Sequence, residues 1–112
     1  MPSQRFACPC CKKNLFDPRL ERLVEEIEKA VDWKIPINSG YRCEKHNRAI
    51  GGSVSSSHLK GLAVDLGVNW SRIRFFVLKK AIELGISRIG VARNFIHIDI
   101  DDEKDPDVVW TY

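Results

Sequence analysis

Two short runs place ionisable side chains inside strand-like apolar sequence, and they limit the fold more than anything else in the chain. They are Ala63-Val64-Asp65-Leu66 and Phe95-Ile96-His97-Ile98-Asp99-Ile100. Side chains alternate across a β-strand, so Ile96, Ile98 and Ile100 share one face while His97 and Asp99 share the other. By the same rule Val64 and Leu66 point to the core, and Ala63 and Asp65 point away from it. A buried carboxylate without partners is strongly destabilising, so Asp65 demands company. The chain therefore needs a sheet with one face on a core and one face where Asp65, His97 and Asp99 meet.

The remaining segments supply that core. Asp17-Pro18 reads as an N-cap followed by proline at the first helical position. Leu20, Leu23, Val24, Ile27, Ala30 and Val31 then recur at helical spacing, which predicts an amphipathic helix over about 18–32. Lys34 to Asn38 reads as a short strand, and Cys43 to Ile50 as a short helix stopped by Gly51-Gly52. A polar loop over 51–57 leads into a strand from Leu62 to Val68. Ser71 is expected to cap a second long helix that ends at Gly85. Ile86 to Ala92 and Phe95 to Ile100 form a hairpin across Arg93-Asn94, and Val108 to Tyr112 adds an edge strand. The pattern predicts an α+β fold, a mainly antiparallel sheet flanked by two long helices. In 112 residues this is one domain, residues 1–16 being a cysteine-containing arm.

Composition excludes several classes. No run approaches the roughly 20 apolar residues of a membrane span, and Met1 to Arg5 lacks an apolar signal region. Cytoplasmic residence is the expectation that follows. Lys and Arg total 18 against 15 Asp and Glu, a net +3, too small to argue for nucleic acid. Residues 99–107 carry −5 and the rest of the chain +8. That acidic stretch, with Asp99, Asp101, Asp102, Glu103, Asp105 and Asp107, reads as a solvated turn, since the glycine and spacing of a calcium loop are missing. The mildly basic body suits an anionic target such as a wall polymer or a free carboxylate.

Cysteine is concentrated as Cys8-Pro9-Cys10-Cys11, with Cys43 alone downstream. The pattern leaves three structural readings: reduced and packed thiols, one disulfide tying the arm to Cys43, or a cysteine-bound zinc. A cytoplasmic setting argues against permanent disulfides.

The chemistry points to histidine. His58 lies seven residues before Asp65, after a Ser/Gly loop able to fold back over the polar sheet face. His58, Asp65 and His97 make a His₂Asp set suited to a catalytic zinc with an open position for water. The ordinary alternative for each histidine is a hydrogen-bonded surface or core residue.

Longer motifs surround these residues. Ser39-Gly40-Tyr41-Arg42, His46-Asn47, Gly51-Gly52, Ser56-Ser57-His58-Leu59-Lys60-Gly61-Leu62-Ala63-Val64-Asp65 and Phe95-Ile96-His97 resemble the zinc D-alanyl-D-alanine carboxypeptidase family. That family's pattern is SGYR, SxHxxGxAxD and a later histidine on a strand. The resemblance spans 39–97, and the arm and first helix look like its compact phage- or prophage-type branch. It implies the fold shared with the Hedgehog signalling domain, and hydrolysis of stem peptides or cross-links of peptidoglycan. The compact chain suits a phage or prophage enzyme, a monomer released from the cytoplasm by another route to act at the cell wall, with a bacterial origin as the alternative.

Carried onto this chain, the resemblance makes His58, Asp65 and His97 the ligands of one Zn²⁺. Ser56 would orient the ligand loop, Arg42 would grip a substrate carboxylate or carbonyl, and Tyr41 and His46 would join it in binding substrate. One position departs: relatives carry an acidic general base three residues before the last histidine, where this chain has Asn94. An amide cannot accept the proton. Either Asp99 on the same strand face serves, its ordinary alternative being to orient His97 or pair with a cation, another carboxylate reaches in, or catalysis is weak or absent. The last option gives the alternative function, a non-catalytic zinc-stabilised module binding wall peptide or a protein. Ser57-His58-Leu59-Lys60 fits an SxxK serine motif, but its companion motifs are absent and the chain is too short for that fold.

Overall fold

The computed structural model describes residues 3–112. An arm with a 3-10 turn at Gln4–Phe6 precedes helix α1, Pro18–Val31. Strand β1 is Ile37–Ser39, helix α2 is Glu44–Ala49, and a second 3-10 turn covers Ser57–Lys60. Strand β2, Ala63–Leu66, is followed by helix α3, Ser71–Glu83, and by strands β3, Arg88–Val91, β4, Ile96–Asp99, and β5, Val108–Thr111. The five strands form one sheet in the order β1-β2-β4-β3-β5. All neighbours are antiparallel except β3 and β5. The α+β, mainly antiparallel architecture expected from the sequence is the one observed.

Local chemistry explains most element ends. Asp17 caps α1 by accepting the Arg19 N–H at 2.8 Å, with Pro18 at the first helical position. The helix stops at Asp32, which adopts the left-handed conformation with φ 52°. Three expectations need adjustment. The first strand begins at Ile37, not Lys34, because Pro36 has no N–H to give a ladder; its carbonyl instead accepts Gly67 N–H at 2.8 Å. Trp70, not Ser71, occupies the cap position of α3, and no side chain caps that helix. Asp99 and Asp101, read as part of a solvated acidic turn, are buried, whereas Asp102, Glu103, Asp105 and Asp107 are exposed.

The core lies on one face of the sheet. Val64, Leu66, Ile89, Ile96 and Ile98 from the strands join Leu20, Val24 and Ile27 of α1 and Val77 and Ala81 of α3 in a single buried cluster. Phe6 of the arm stacks on Phe16, ring centroids 4.2 Å apart, and both belong to that cluster. Arg5 anchors the arm to α1 through Glu28, with Nη1 and Nη2 at 2.8 and 2.6 Å from the two carboxylate oxygens. Glu28 also accepts the Ile35 N–H at 2.8 Å, so one side chain ties the arm, α1 and the approach to β1.

None of the described helices is long and apolar enough to cross a membrane. All four cysteines are unbridged. Glu28→Gln keeps the shape but removes the charge that Arg5 pairs with, and is expected to lower the unfolding free energy by about 1.5–3 kcal/mol. Urea denaturation at neutral pH measures it; a loss under half a kcal/mol, roughly that of an exposed ion pair, would refute the anchoring role.

Candidate metal centre and cleft

Strand register assembles the polar face. Asp65 of β2 lies directly opposite His97 of β4, and Ala63 opposite Asp99. On the other side of β4, His97 pairs with Gly90 and Asp99 with Arg88; Gly90 in turn pairs with Trp110 of β5. Ser39 of β1 faces Asp65. Ser39, Asp65, His97, Gly90 and Trp110 thus form one row across all five strands. Gly90 is glycine for a steric reason: a Cβ there would sit 2.5 Å from the Trp110 indole nitrogen. The indole lies over that gap, its ring centroid 5.3 Å from that of His97.

His58 reaches the row from the 3-10 turn. Ser56 caps that turn by accepting the His58 N–H at 3.2 Å, as expected of a residue that orients the loop. The His58 side chain is set by Nδ1, which donates to the Gly40 carbonyl at 2.8 Å and turns Nε2 toward the row. That Nε2 stands 3.3 Å from Asp65 Oδ1. His97 Nδ1 approaches the same oxygen at 2.9 Å, while its Nε2 donates to Asp99 Oδ2 at 2.7 Å. The structure brings together the three residues expected to bind metal, all buried, with their donor atoms within 4.8 Å of one another.

The electrostatics follow from this crowding. Burial disfavours charge on Asp65, but hydrogen bonds from His58 and His97 outweigh it and hold the carboxyl well below the usual range. Burial would likewise lower the pKa of His97, yet the two carboxylates beside it push it up. Two imidazoles aimed at one carboxylate oxygen, each with its far nitrogen fixed by an acceptor, match the donor set and outer support of a zinc site. Zinc sits about 2.0–2.2 Å from such nitrogen and oxygen donors, which this spacing accommodates with small adjustments. The residues fit the ion.

Arg42 stands beside this group. Its Nε donates to Ser39 Oγ and its Nη1 to Asn47 Oδ1, both at 2.9 Å, and Nη2 lies 3.6 Å from Asp65 Oδ2. Burial pulls its pKa down and Asp65 opposes the shift. Asn47 is itself held by donating to the Ser53 carbonyl at 2.8 Å. The cleft, about 340 Å³, is lined by Arg42, His58, Asp65, His97 and Asp99, with Phe95, Trp110 and Tyr112 as an aromatic wall.

Several expected roles change. Tyr41 is buried in the core and lines no part of the cleft, because its backbone is tied to the arm through Tyr41 N–H and Phe6 O at 2.8 Å. His46 lies outside the cleft too, on the half-exposed side of α2, and its neighbour Asn47 turns inward to hold Arg42. Asn94 is exposed in the β3–β4 turn. Asp99 is in the site but heavily engaged: Oδ2 accepts from His97, and Oδ1 from Arg88 Nε at 2.7 Å and Asp101 N–H at 3.2 Å. Its pKa is lowered, burial being outweighed by His97, Asp101 N–H and Arg88. That is the placement of a group that orients His97, and a poor one for taking a proton.

Trp110, Tyr112, Arg88 and Asp101 were not among the residues expected at the site. Asp101 accepts Ser57 Oγ–H at 2.7 Å and Lys60 Nζ at 2.8 Å, bracketing His58 from both sides. Burial opposes its charge, but Lys60, Ser57 and the Glu103 N–H lower its pKa from 3.8. A carboxyl depressed in the folded state contributes stability above its unfolded pKa and loses it as pH falls through the folded value. Asp101→Asn is therefore expected to cost about 1–3 kcal/mol near neutral pH. The gap to wild type should close as pH drops below about 4 in a denaturation series. A gap independent of pH would contradict the assignment.

The family model described as Peptidase M15 matches residues 4–99. No curated protein matches the chain. The matched span takes in the arm, both long helices and all of His58, Asp65 and His97, whereas Trp110 and Tyr112 of the aromatic wall follow it. With most of its length inside that match, the chain belongs to the peptidase M15 family.

Proposed function

We propose that this peptidase is zinc-dependent and hydrolyses a peptide bond in the stem peptides or cross-links of peptidoglycan at the bacterial cell wall. The observation that carries the reading is the convergence of His58 Nε2 and His97 Nδ1 on Asp65 Oδ1, with both outer nitrogens already committed to Gly40 O and Asp99 Oδ2. His58, Asp65 and His97 would hold the ion. When bound, zinc supplies a Lewis acid for the scissile carbonyl and acidifies water.

The protein's own groups do the rest. Arg42 presents a guanidinium fixed at two nitrogens, which suits a substrate carboxylate or the negative charge that develops on a carbonyl oxygen. A stem peptide offers both. Asp99 accepts a hydrogen bond from His97 Nε2 and so keeps the opposite nitrogen turned to Asp65. Trp110, Tyr112 and Phe95 line one side of the cleft as an aromatic wall, with the Phe95 and Tyr112 rings in contact. The exposed amide of Asn94 favours one second reading, a zinc-stabilised module that binds wall peptide without cutting it.

The test is digestion of purified peptidoglycan and synthetic stem peptides by zinc-loaded protein, with fragments identified by mass. Hydrolysis is expected in wild type and absent in His97→Ala. Arg42→Lys is expected to lower kcat/KM by about 10²-fold. Asp99→Asn should lose roughly 10–100-fold in activity, in zinc affinity, or in both. Zinc-loaded wild type that binds these substrates but releases no product would defeat the hydrolase and establish the binding module.

A further inference from the structure

A second cluster of ligating side chains lies away from the cleft. Cys8, Cys10 and Cys11 sit on a tight loop closed by Lys12 N–H to Cys8 O at 2.9 Å and Cys8 N–H to Lys13 O at 2.8 Å. Lys12 takes the left-handed conformation, φ 65°, which turns the chain back after the third cysteine. Cys43 arrives from the cap of α2, across a gap of more than thirty residues. The Sγ atoms of Cys8 and Cys10, and of Cys8 and Cys43, are 3.6 Å apart; those of Cys10 and Cys43 are 3.3 Å apart. The Cys11 sulfur completes a group in which all four lie within 4.8 Å of one another.

These spacings fit one chemistry. A disulfide needs about 2.05 Å between sulfurs, and none of these pairs has formed one. Four thiolates around zinc at about 2.3 Å would stand about 3.8 Å apart in a regular tetrahedron. Backbone N–H groups also point at sulfur, from Cys43 to Cys8 Sγ at 3.5 Å and from His46 to Cys43 Sγ at 3.4 Å.

We propose that Cys8, Cys10, Cys11 and Cys43 bind a second, structural Zn²⁺ as a tetrathiolate that clamps the N-terminal arm to the segment carrying Arg42. Binding forms four Zn–S bonds and releases the thiol protons to solvent, with no change of oxidation state. Four protein ligands leave no open position, so this ion would hold structure and not activate water.

The clamp sits where the arm meets the site. Tyr41 N–H bonds Phe6 O at 2.8 Å, and a Cβ on Gly40 would lie 2.6 Å from that same Phe6 oxygen. Gly40 O in turn receives His58 Nδ1. Cys43 follows directly after Arg42.

The test uses the reduced full-length protein, purified without chelator and reconstituted with Co²⁺. Wild type and His97→Ala are both expected to show thiolate-to-cobalt charge-transfer absorption in the near ultraviolet, and Cys43→Ser to lose it. Retention in His97→Ala separates this site from the cleft, whether or not the protein hydrolyses peptidoglycan. For variants that do not fold, wild type alone decides: an organomercurial titrating four thiols should release one zinc per chain, and alkylation of the four cysteines should require prior chelation. No charge-transfer band, no zinc released with the thiols, or disulfides among the four cysteines in freshly purified protein would overturn the proposal.

Discussion

The pairing of Asp65 with His97 across β2 and β4 is the contact on which the rest of the site depends. A carboxylate on a central strand, largely shielded from water, is tolerable only with charged or donating neighbours. Here it has His97 on the next strand, His58 on the turn above and Arg42 alongside. Each neighbour is then fixed in turn, His97 by Asp99, His58 by Gly40, and Arg42 by Ser39 and Asn47. No buried side-chain polar atom among the described residues lacks a partner. A network this fully satisfied is rigid, which is what a site needs to present two nitrogens and an oxygen to one ion.

The sheet gives that rigidity a direction. Its apolar face packs on α1 and α3, and its polar face carries the row from Ser39 to Trp110. A slip of one residue in β2 or β4 would exchange the two faces, burying Asp65 in the core and exposing Val64 and Leu66. Folding energy and site geometry therefore depend on the same register. The arm extends the dependence: Phe6 enters the core while its carbonyl and the Cys8 loop meet the Gly40–Cys43 segment that positions His58 and Arg42.

Much of this was legible in the chain. Period-two alternation in 63–66 and 95–100 separated core from site side chains, and caps such as Asp17-Pro18 located α1. Misread elements share a cause: local pattern says nothing of what lies across space. Tyr41 belongs to a motif whose neighbour Arg42 is in the cleft, yet Phe6 of the arm pulls Tyr41 into the core. Asp101 looks like one more charge in an acidic run until Lys60 and Ser57, forty residues earlier, are found beside it. Trp110 carried no signal at all, since its place over Gly90 follows from a parallel pairing that only the assembled sheet reveals.

The sequence by itself determined the fold class and the polar and apolar faces of the strands, because alternation is a property of the chain alone, while the motif resemblance singled out His58, Asp65 and His97 as candidate metal ligands. Tertiary structure decided the rest. It tied Asp99, the candidate base, to His97 and Arg88, placed Tyr41 and His46 outside the cleft and Asn47 in contact with Arg42, and gathered four cysteines around one point. These are outcomes of contacts between residues distant in the chain, and hydrogen-bond partners and burial become defined only when those contacts form.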